Sequence, residues 1–418
     1  MFIPQFERNY KNFSRATPLA LQRIVCYDPR KESSCGVTVK YDLLLKNGEV
    51  IDPSQNLRGR RDVAFSNGAV AALAESIPAE TARETVDVSG KLVTPGLIDI
   101  HGHFFHGYQP RFEHPDNFCL PTGVTTAVDA GSAGWKVFDD FRDRVIKRCT
   151  TRLFAFVHLS ANGLNKEHTQ QGELMDMKLV HVKETAQCIL DNPENVVGLK
   201  VRIDDSALRV ESAFPALQFA RDAADRAGCR IMVHVSRSPI PLGKILDFLR
   251  PGDIVTHPFH GAANGPLDDK GNIRREVIDA QQRGIILDSG CAKVHLDLNV
   301  CRTFLDHEVL PNTISSDGVR LDRSYSLPQV MSMFLGLGMS LEQIVAATTH
   351  KAAAAIGKEA TLGSLRIGMA GDATVLNLQE GDFAFDDRAG NVIKCPRQFA
   401  PALTIKNGVC WEKAAALA

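Results

Sequence analysis

Residues 97–103 read LIDIHGH, and the strand they predict decides how the rest of the chain is read. Side chains alternate along a strand, so Asp99, His101 and His103 share one face while Ile98 and Ile100 take the other. Runs of the same kind recur at VTTAVDAG (124–131), RLFAFVHLS (152–160), VVGLKVRI (196–203), RIMVHVS (230–236), DIVTHPF (253–259), GIILDSG (284–290) and NTISSDG (312–318). Most are nearly continuous apolar stretches, as strands buried on both faces must be. Between them lie segments of helical period. They include 136–149 with Phe138, Phe141 and Val145, the stretch GELMDMKLVHVKETAQCILDN ending at Asn192, and SLEQIVAATTHKAAAAIG, where Ser340 and Gln343 have capping-box spacing and Gly357 supplies the stop. Eight alternating units predict an α/β fold, a TIM-type (β/α)8 barrel over 97–358. A doubly wound sheet is the competing architecture, because periodicity does not show closure.

The flanks read differently. YDLLLKNGEVIDP, RDVAFSNGAVAAL and VDVSGKLVTP within 41–96 alternate in polarity and are joined by Asn-Gly and Ser-Gly pairs, the chemistry of hairpins. Residues 359–418 repeat the style with GDATVLNL and ALTIKNGVCWE. The two flanks are expected to join into a small β-sandwich domain beside the barrel. Residues 1–40 are expected to form an N-terminal arm packed on the body or on a neighbouring subunit. The surplus of Arg8, Lys11, Arg15 and Arg23 over Glu7 also admits a transit peptide.

Across 418 residues, 48 Lys+Arg face 49 Asp+Glu for a net charge of −1, and no basic run stands out, which argues against nucleic acid as a partner. No stretch of about 18 uninterrupted apolar residues exists to span a membrane. The ten cysteines show no CxxC pair, so a reducing compartment, the cytoplasm, is the expectation.

Chemistry gathers at the strand ends. His101 and His103 stand two residues apart on one face, suited to hold a metal ion at a barrel mouth, although an HxH pair alone is a weak signal. Lys200, His234, His257 and Asp317 each fall near the end of a different predicted strand. Lys200 lies among Leu199, Val201 and Ile203, where an unpaired ammonium is costly. Either it pairs with a nearby carboxylate, or its neutral amine takes up carbon dioxide to become a carbamate able to bridge two cations. Arg202 has the parity of Lys200 and could fork onto a substrate carboxylate. An internal salt bridge to Asp204 or Asp205 is the alternative.

PGLIDIHGHFFHG, GLKVRI, MVHVS, VTHPFHG and SSDG together resemble the amidohydrolase superfamily of metal-dependent hydrolases, in its binuclear, carbamylated-lysine branch. NGEVIDP and IGMAGDATVLNL extend the likeness over nearly the whole chain from residue 41, and it is nearest to the dihydroorotase-like deacetylase group. The resemblance implies that His101, His103, Lys200 and Asp317 hold a first divalent ion, and that Lys200, His234 and His257 hold a second. Zinc is the expected metal, with a carbon dioxide-derived carbamate on Lys200. It implies a hydrolase in which a hydroxide shared by two ions attacks an amide or ester of a small carboxylate, with Asp317 moving the proton. The partner is then a small molecule, and relatives suggest a homo-oligomer. A cyclic amide hydrolase, a mononuclear nucleobase deaminase and an inactive scaffold are the competing readings. Asp99 is expected to be structural. His106, His260, His158, Asn162, Arg320 and Tyr325 are weaker candidates for lining the pocket, and Asp288 and Cys291 are expected to be structural or to line it.

Overall fold

The computed structural model describes residues 38–164 and 173–411, so all but the end of the arm expected over 1–40 lies outside the described residues. Five strands come first: β1 (Tyr41–Asp52), β2 (Leu57–Ser66), β3 (Ala69–Ala74), β4 (Ala82–Asp87) and β5 (Leu92–Pro95). Seven follow as β6 (Leu97–Gly102), β7 (Val124–Gly134), β8 (Arg152–His158), β9 (Val196–Arg202), β10 (Ile231–His234), β11 (Ile254–Thr256) and β12 (Ile286–Asp288). The last three are β13 (Ala373–Asp386), β14 (Val392–Lys406) and β15 (Val409–Trp411).

The chain ends do join. β15, β14, β13, β5, β1, β2 and β3 pair in that order, β4 adds alongside β1, and all eight form one continuous sheet. Its core takes Leu43, Leu45, Val63, Phe65, Val93, Val375 and Ile405 into a single buried cluster. Two of the Asn-Gly pairs are turns as expected, with positive φ at Asn67 and Gly68 and at Asn407 and Gly408. The pair at 47–48 is not. There β1 runs on through a bulge, because Asn47 N–H is captured by Asp62 Oδ1 at 2.8 Å and Gly48 packs where a Cβ would meet Val93 Cγ2 at 2.5 Å.

β6 to β12 pair in sequence order, all parallel. The eighth segment, 312–318, forms only a bridge from Thr313 to Asp288 of β12 and another from Gly318 to Gly102 of β6. Those two bridges close the barrel. A regular eighth strand is missing because side chains intercept its backbone: Ser315 N–H donates to Ser289 Oγ and Ser316 N–H to Asp99 Oδ1, each at 3.0 Å.

The connecting helices are shorter than the periodicity predicts. Segment 136–149 holds a helical turn at Phe138–Phe141 followed by a π-helical stretch, Arg142–Ile146, and the stretch ending at Asn192 is helical only over Val182–Asp191. Segment 340–357 has the expected capping box at Ser340 and a left-handed Gly357, but it breaks at Thr349 into Leu341–Thr348 and His350–Ala355. Thr348 and Thr349 bond their hydroxyls back to the Ile344 and Val345 carbonyls, the local competition that bends helices. Among the described residues no helix is long and apolar enough to cross a membrane.

Candidate metal centre

β6, β9, β10, β11 and the segment before Gly318 deliver His101, His103, Lys200, His234, His257 and Asp317 to one end of the barrel. Asp317 is the hub. Its Oδ1 lies 3.2 Å from His103 Nε2 and 3.4 Å from His101 Nε2, and its Oδ2 lies 3.7 Å from His257 Nε2. Both Asp317 and His257 have positive φ, 50° and 66°, a backbone strain that this packing holds in place at the strand ends.

The hydrogen bonds assign the imidazole protons. His257 Nδ1 faces the Gly290 carbonyl at 2.6 Å and must donate to it. Thr256 gives its hydroxyl proton to Asp288 at 2.8 Å, so it accepts from His101 Nδ1 at 2.8 Å. His103 Nδ1 donates likewise to Ser132 Oγ at 3.0 Å, and His234 Nε2 to Asp204 Oδ2 at 3.2 Å. Each donor leaves the ring's other nitrogen with a lone pair. Three of those lone pairs, on His101, His103 and His257, face the Asp317 carboxylate, acceptor against acceptor. His257 Nε2 is buried with no hydrogen-bond partner.

Such an arrangement is repulsive unless a cation lies between, and the donor set of imidazole and carboxylate fits a divalent metal. His101, His257 and Asp317 form one group able to hold an ion, and His234, His257 and His295 form another. Burial favours the neutral ring, as a ligand must be, at three of them: His101 falls to about 4, and His234 and His257 are pushed well below the usual imidazole range. Asp317 is held well below the usual carboxylate range, burial being outweighed by positive charge at His101, His103 and His257, the same sign of charge that a cation held between them would supply.

Lys200 is 1% exposed, with Nζ 3.3 Å from His101 Nε2 and 3.3 Å from Met232 Sδ. Among the described residues it makes no ion pair, so the carboxylate-paired alternative is not found there. Burial pulls it down to about 7, against the pull of Asp317, which makes the neutral amine accessible near neutral pH. Gly131, at φ 88°, lets β7 approach it: a Cβ there would meet Lys200 Cβ at 2.8 Å.

Asp99 is structural as expected. It accepts from Ser316 Oγ at 2.5 Å, Ser316 N–H at 3.0 Å and His101 N–H at 3.3 Å, tying two strand ends together. Asp288 positions His101 through Thr256. Arg202 is engaged internally, donating to Glu173 Oε1 at 2.5 Å with Asp204 at 3.8 Å; Asp205 pairs instead with Arg237. Among the weaker candidates, His158 is buried with Nδ1 accepting from Ser160 N–H, and the Asn162 carbonyl accepts from Tyr108. His260 Nδ1 caps Ala262 N–H, and His106 is exposed. Arg320 pairs with Asp322, Tyr325 donates to Asp386, and Cys291 is a buried thiol pushed up to about 12 by burial.

Three groups escaped the sequence reading. His295, in the loop after β12, packs on His257 with ring centroids 4.3 Å apart. Glu173 is the buried counter-charge of Arg202. Arg111 lies over Phe112, whose ring stacks on His103 at 5.6 Å. Among the described residues Arg111 has no ion pair, and its buried Nε has no hydrogen-bond partner. It lies near enough to Arg202, Asp317 and Glu173 to feel their charges. The available signals were positional: a histidine just beyond a barrel-strand end, and an arginine eight residues after the HxH pair.

A closed barrel whose strand ends converge histidines, a lysine and an aspartate defines a hydrolase with a cation-ready centre. The sequence profile of the amidohydrolase family matches residues 92–409, and the chain belongs to that family. It is 30% identical over 342 residues to a deacetylase of Brucella anthropi, spanning 81% of this chain and 84% of that protein. A crystal structure of an adenine deaminase superposes with TM-score 0.82 at 28% identity, covering 89% of this chain and 100% of the other. A crystal structure of a dihydroorotase gives 0.78 at 27%, covering 88% and 98%.

Proposed function

We propose that the protein is a two-metal hydrolase of the deacetylase type, cleaving an amide or ester bond of a small carboxylate-bearing molecule. The observation that carries this reading is the set of imidazole lone pairs turned onto Asp317 beside a buried Lys200 that has no ion pair among the described residues. His101, His103, Lys200 and Asp317 would hold one divalent ion, and Lys200, His234 and His257 a second, with zinc favoured by the donor types. When bound, the ions supply an acidified water near neutral pH and a Lewis acid for the acyl oxygen.

The chain does the rest. Neutral Lys200 Nζ forms a bond to carbon dioxide and releases a proton, becoming an anion that two cations can share. Asp317, ionised throughout the neutral range, accepts the nucleophile's proton and passes it to the departing nitrogen or oxygen. Arg111 supplies a cation that no carboxylate among the described residues pairs with, and Arg202 adds positive potential behind its pair with Glu173. A reducing cytoplasm suits the buried free thiols of Cys119, Cys291, Cys301 and Cys395. The dihydroorotase and adenine deaminase likenesses favour two further readings, cyclic amide hydrolysis and ring deamination; a deaminase with one metal would leave Lys200 without a role.

The test is hydrolysis by zinc-loaded protein of N-acetyl amino acids and O-acetyl hydroxy acids beside dihydroorotate, hydantoins and adenine. Turnover of the acyclic acyl-carboxylates is expected. Turnover of the cyclic amides alone, or of adenine alone, replaces the reading. Arg111→Met should raise KM for the carboxylate substrate about 10- to 100-fold, as loss of charge-assisted hydrogen bonds worth about 1.5–3 kcal/mol implies. Arg202→Met should instead lower the thermal midpoint, since it strands Glu173 buried and unpaired. If steady-state kinetics show the KM effect in Arg202→Met and not in Arg111→Met, the two roles are exchanged.

A further inference from the structure

We infer that His295 is a catalytic hydrogen-bond donor, presenting an Nε2–H to the oxygen of the acyl group under attack; this rests on the hydrolytic reading above. The protons of a short relay fix its tautomer. Asp204 can only accept, so His234 Nε2 carries a hydrogen toward its Oδ2 at 3.2 Å. Ser236 Oγ lies 2.9 Å from that same His234 Nε2 and 2.7 Å from His295 Nδ1. Because His234 Nε2 is already a donor, the serine hydroxyl has no acceptor there. Its proton goes to His295 Nδ1, the one acceptor within its reach among the described residues. A neutral His295 that accepts at Nδ1 carries its hydrogen on Nε2.

That Nε2–H is held but unused. Among the described residues it makes no hydrogen bond, and the carboxylate beside it, Asp317 Oδ2, lies at 3.9 Å, beyond hydrogen-bond length. The ring is fixed in place, tilted on His257 at 4.3 Å between centroids and edge-on to His234 at 4.9 Å, and the side chain is 20% exposed where the other histidines of the cluster are buried. An oriented donor of this kind, beside the carboxylate that moves the proton, stabilises negative charge where it develops on the substrate oxygen. The proximity of His234, His257 and His295 also admits a third imidazole ligand on the second ion. The tautomer argues against that, since a protonated Nε2 has no lone pair to give.

The experiment compares His295→Phe, which keeps the ring but lacks the donor, with His295→Gln, which keeps an N–H. The zinc-loaded proteins are assayed on whichever panel substrate the wild type hydrolyses. His295→Phe should keep wild-type metal content and thermal midpoint while kcat falls about 10- to 100-fold and KM moves less than about threefold; His295→Gln should regain part of kcat. Loss of one metal ion per chain in His295→Phe, or an unchanged kcat, overturns the assignment. A second readout needs no substrate: nitrogen-15 NMR of histidine-labelled, metal-loaded protein, with the His295 signals identified by their absence in His295→Phe. The hydrogen should be on Nε2, and Ser236→Ala should disturb it. A hydrogen on Nδ1 overturns the donor whatever the panel shows, whereas the expected tautomer with no panel substrate hydrolysed fails the hydrolytic reading instead.

Discussion

Replacing Lys200 with methionine is expected to lower kcat/KM by at least about a thousandfold, roughly 4 kcal/mol of barrier, and to reduce bound metal from two ions per chain to one or none. Methionine matches the length and apolar stem of lysine, so the packing against Met232 and the close face of Gly131 should survive. What disappears is the amine. Lys200 is buried with no ion pair among the described residues, and its proton affinity is already pulled down to about 7, so removing it should leave the fold unharmed or slightly more stable. A large loss of activity with a preserved thermal midpoint therefore reads as lost chemistry. Elemental analysis gives the metal count, and carbon-13 NMR after equilibration with labelled bicarbonate should show a carbamate carbon in the wild type that the variant lacks. Full activity with one ion per chain in the variant would move the protein to the mononuclear reading.

The parts legible in the sequence were those whose local pattern and tertiary environment agree. β6 to β12 announce themselves because strands covered on both faces must be apolar throughout, and the candidate metal ligands stand out against that background as polar interruptions at the carboxyl ends. The eighth segment carried the right residues in the right place, yet Ser315 and Ser316 trade ladder bonds for side-chain ones, a choice made by Ser289 and Asp99 from other strands. The Asn-Gly pair at 47–48 misleads for a similar reason, since Asp62 and Val93 convert a turn signal into a bulge. His295 and Arg111 sit on loops without period. Their importance comes from what they meet, Ser236 and His257 in one case and Phe112 beside His103 in the other. The role given to Arg202 turned on Glu173, 29 residues away in a loop with no periodic signal.

Asp317→Asn is expected to lower kcat by about a hundredfold to ten-thousandfold even at saturating metal, with KM nearly unchanged. Two effects combine, and they separate by titration with zinc. The carboxamide cannot take up the nucleophile's proton, which removes the acceptor outright. Its NH2 group would also face the His103 lone pair across the present 3.2 Å gap and donate to it, occupying a nitrogen that a cation needs, so metal affinity should fall as well. Saturating zinc repairs the second defect and not the first. The sign of the pH effect follows from the same surroundings. Asp317 is held ionised well below its ordinary range, so an acid limb near neutral pH in the wild type cannot be its protonation, and Asp317→Asn should leave the position of such a limb where it was while lowering the plateau. Recovery to within about tenfold of wild-type kcat when zinc saturates would assign proton transfer to another group and leave Asp317 as a ligand alone.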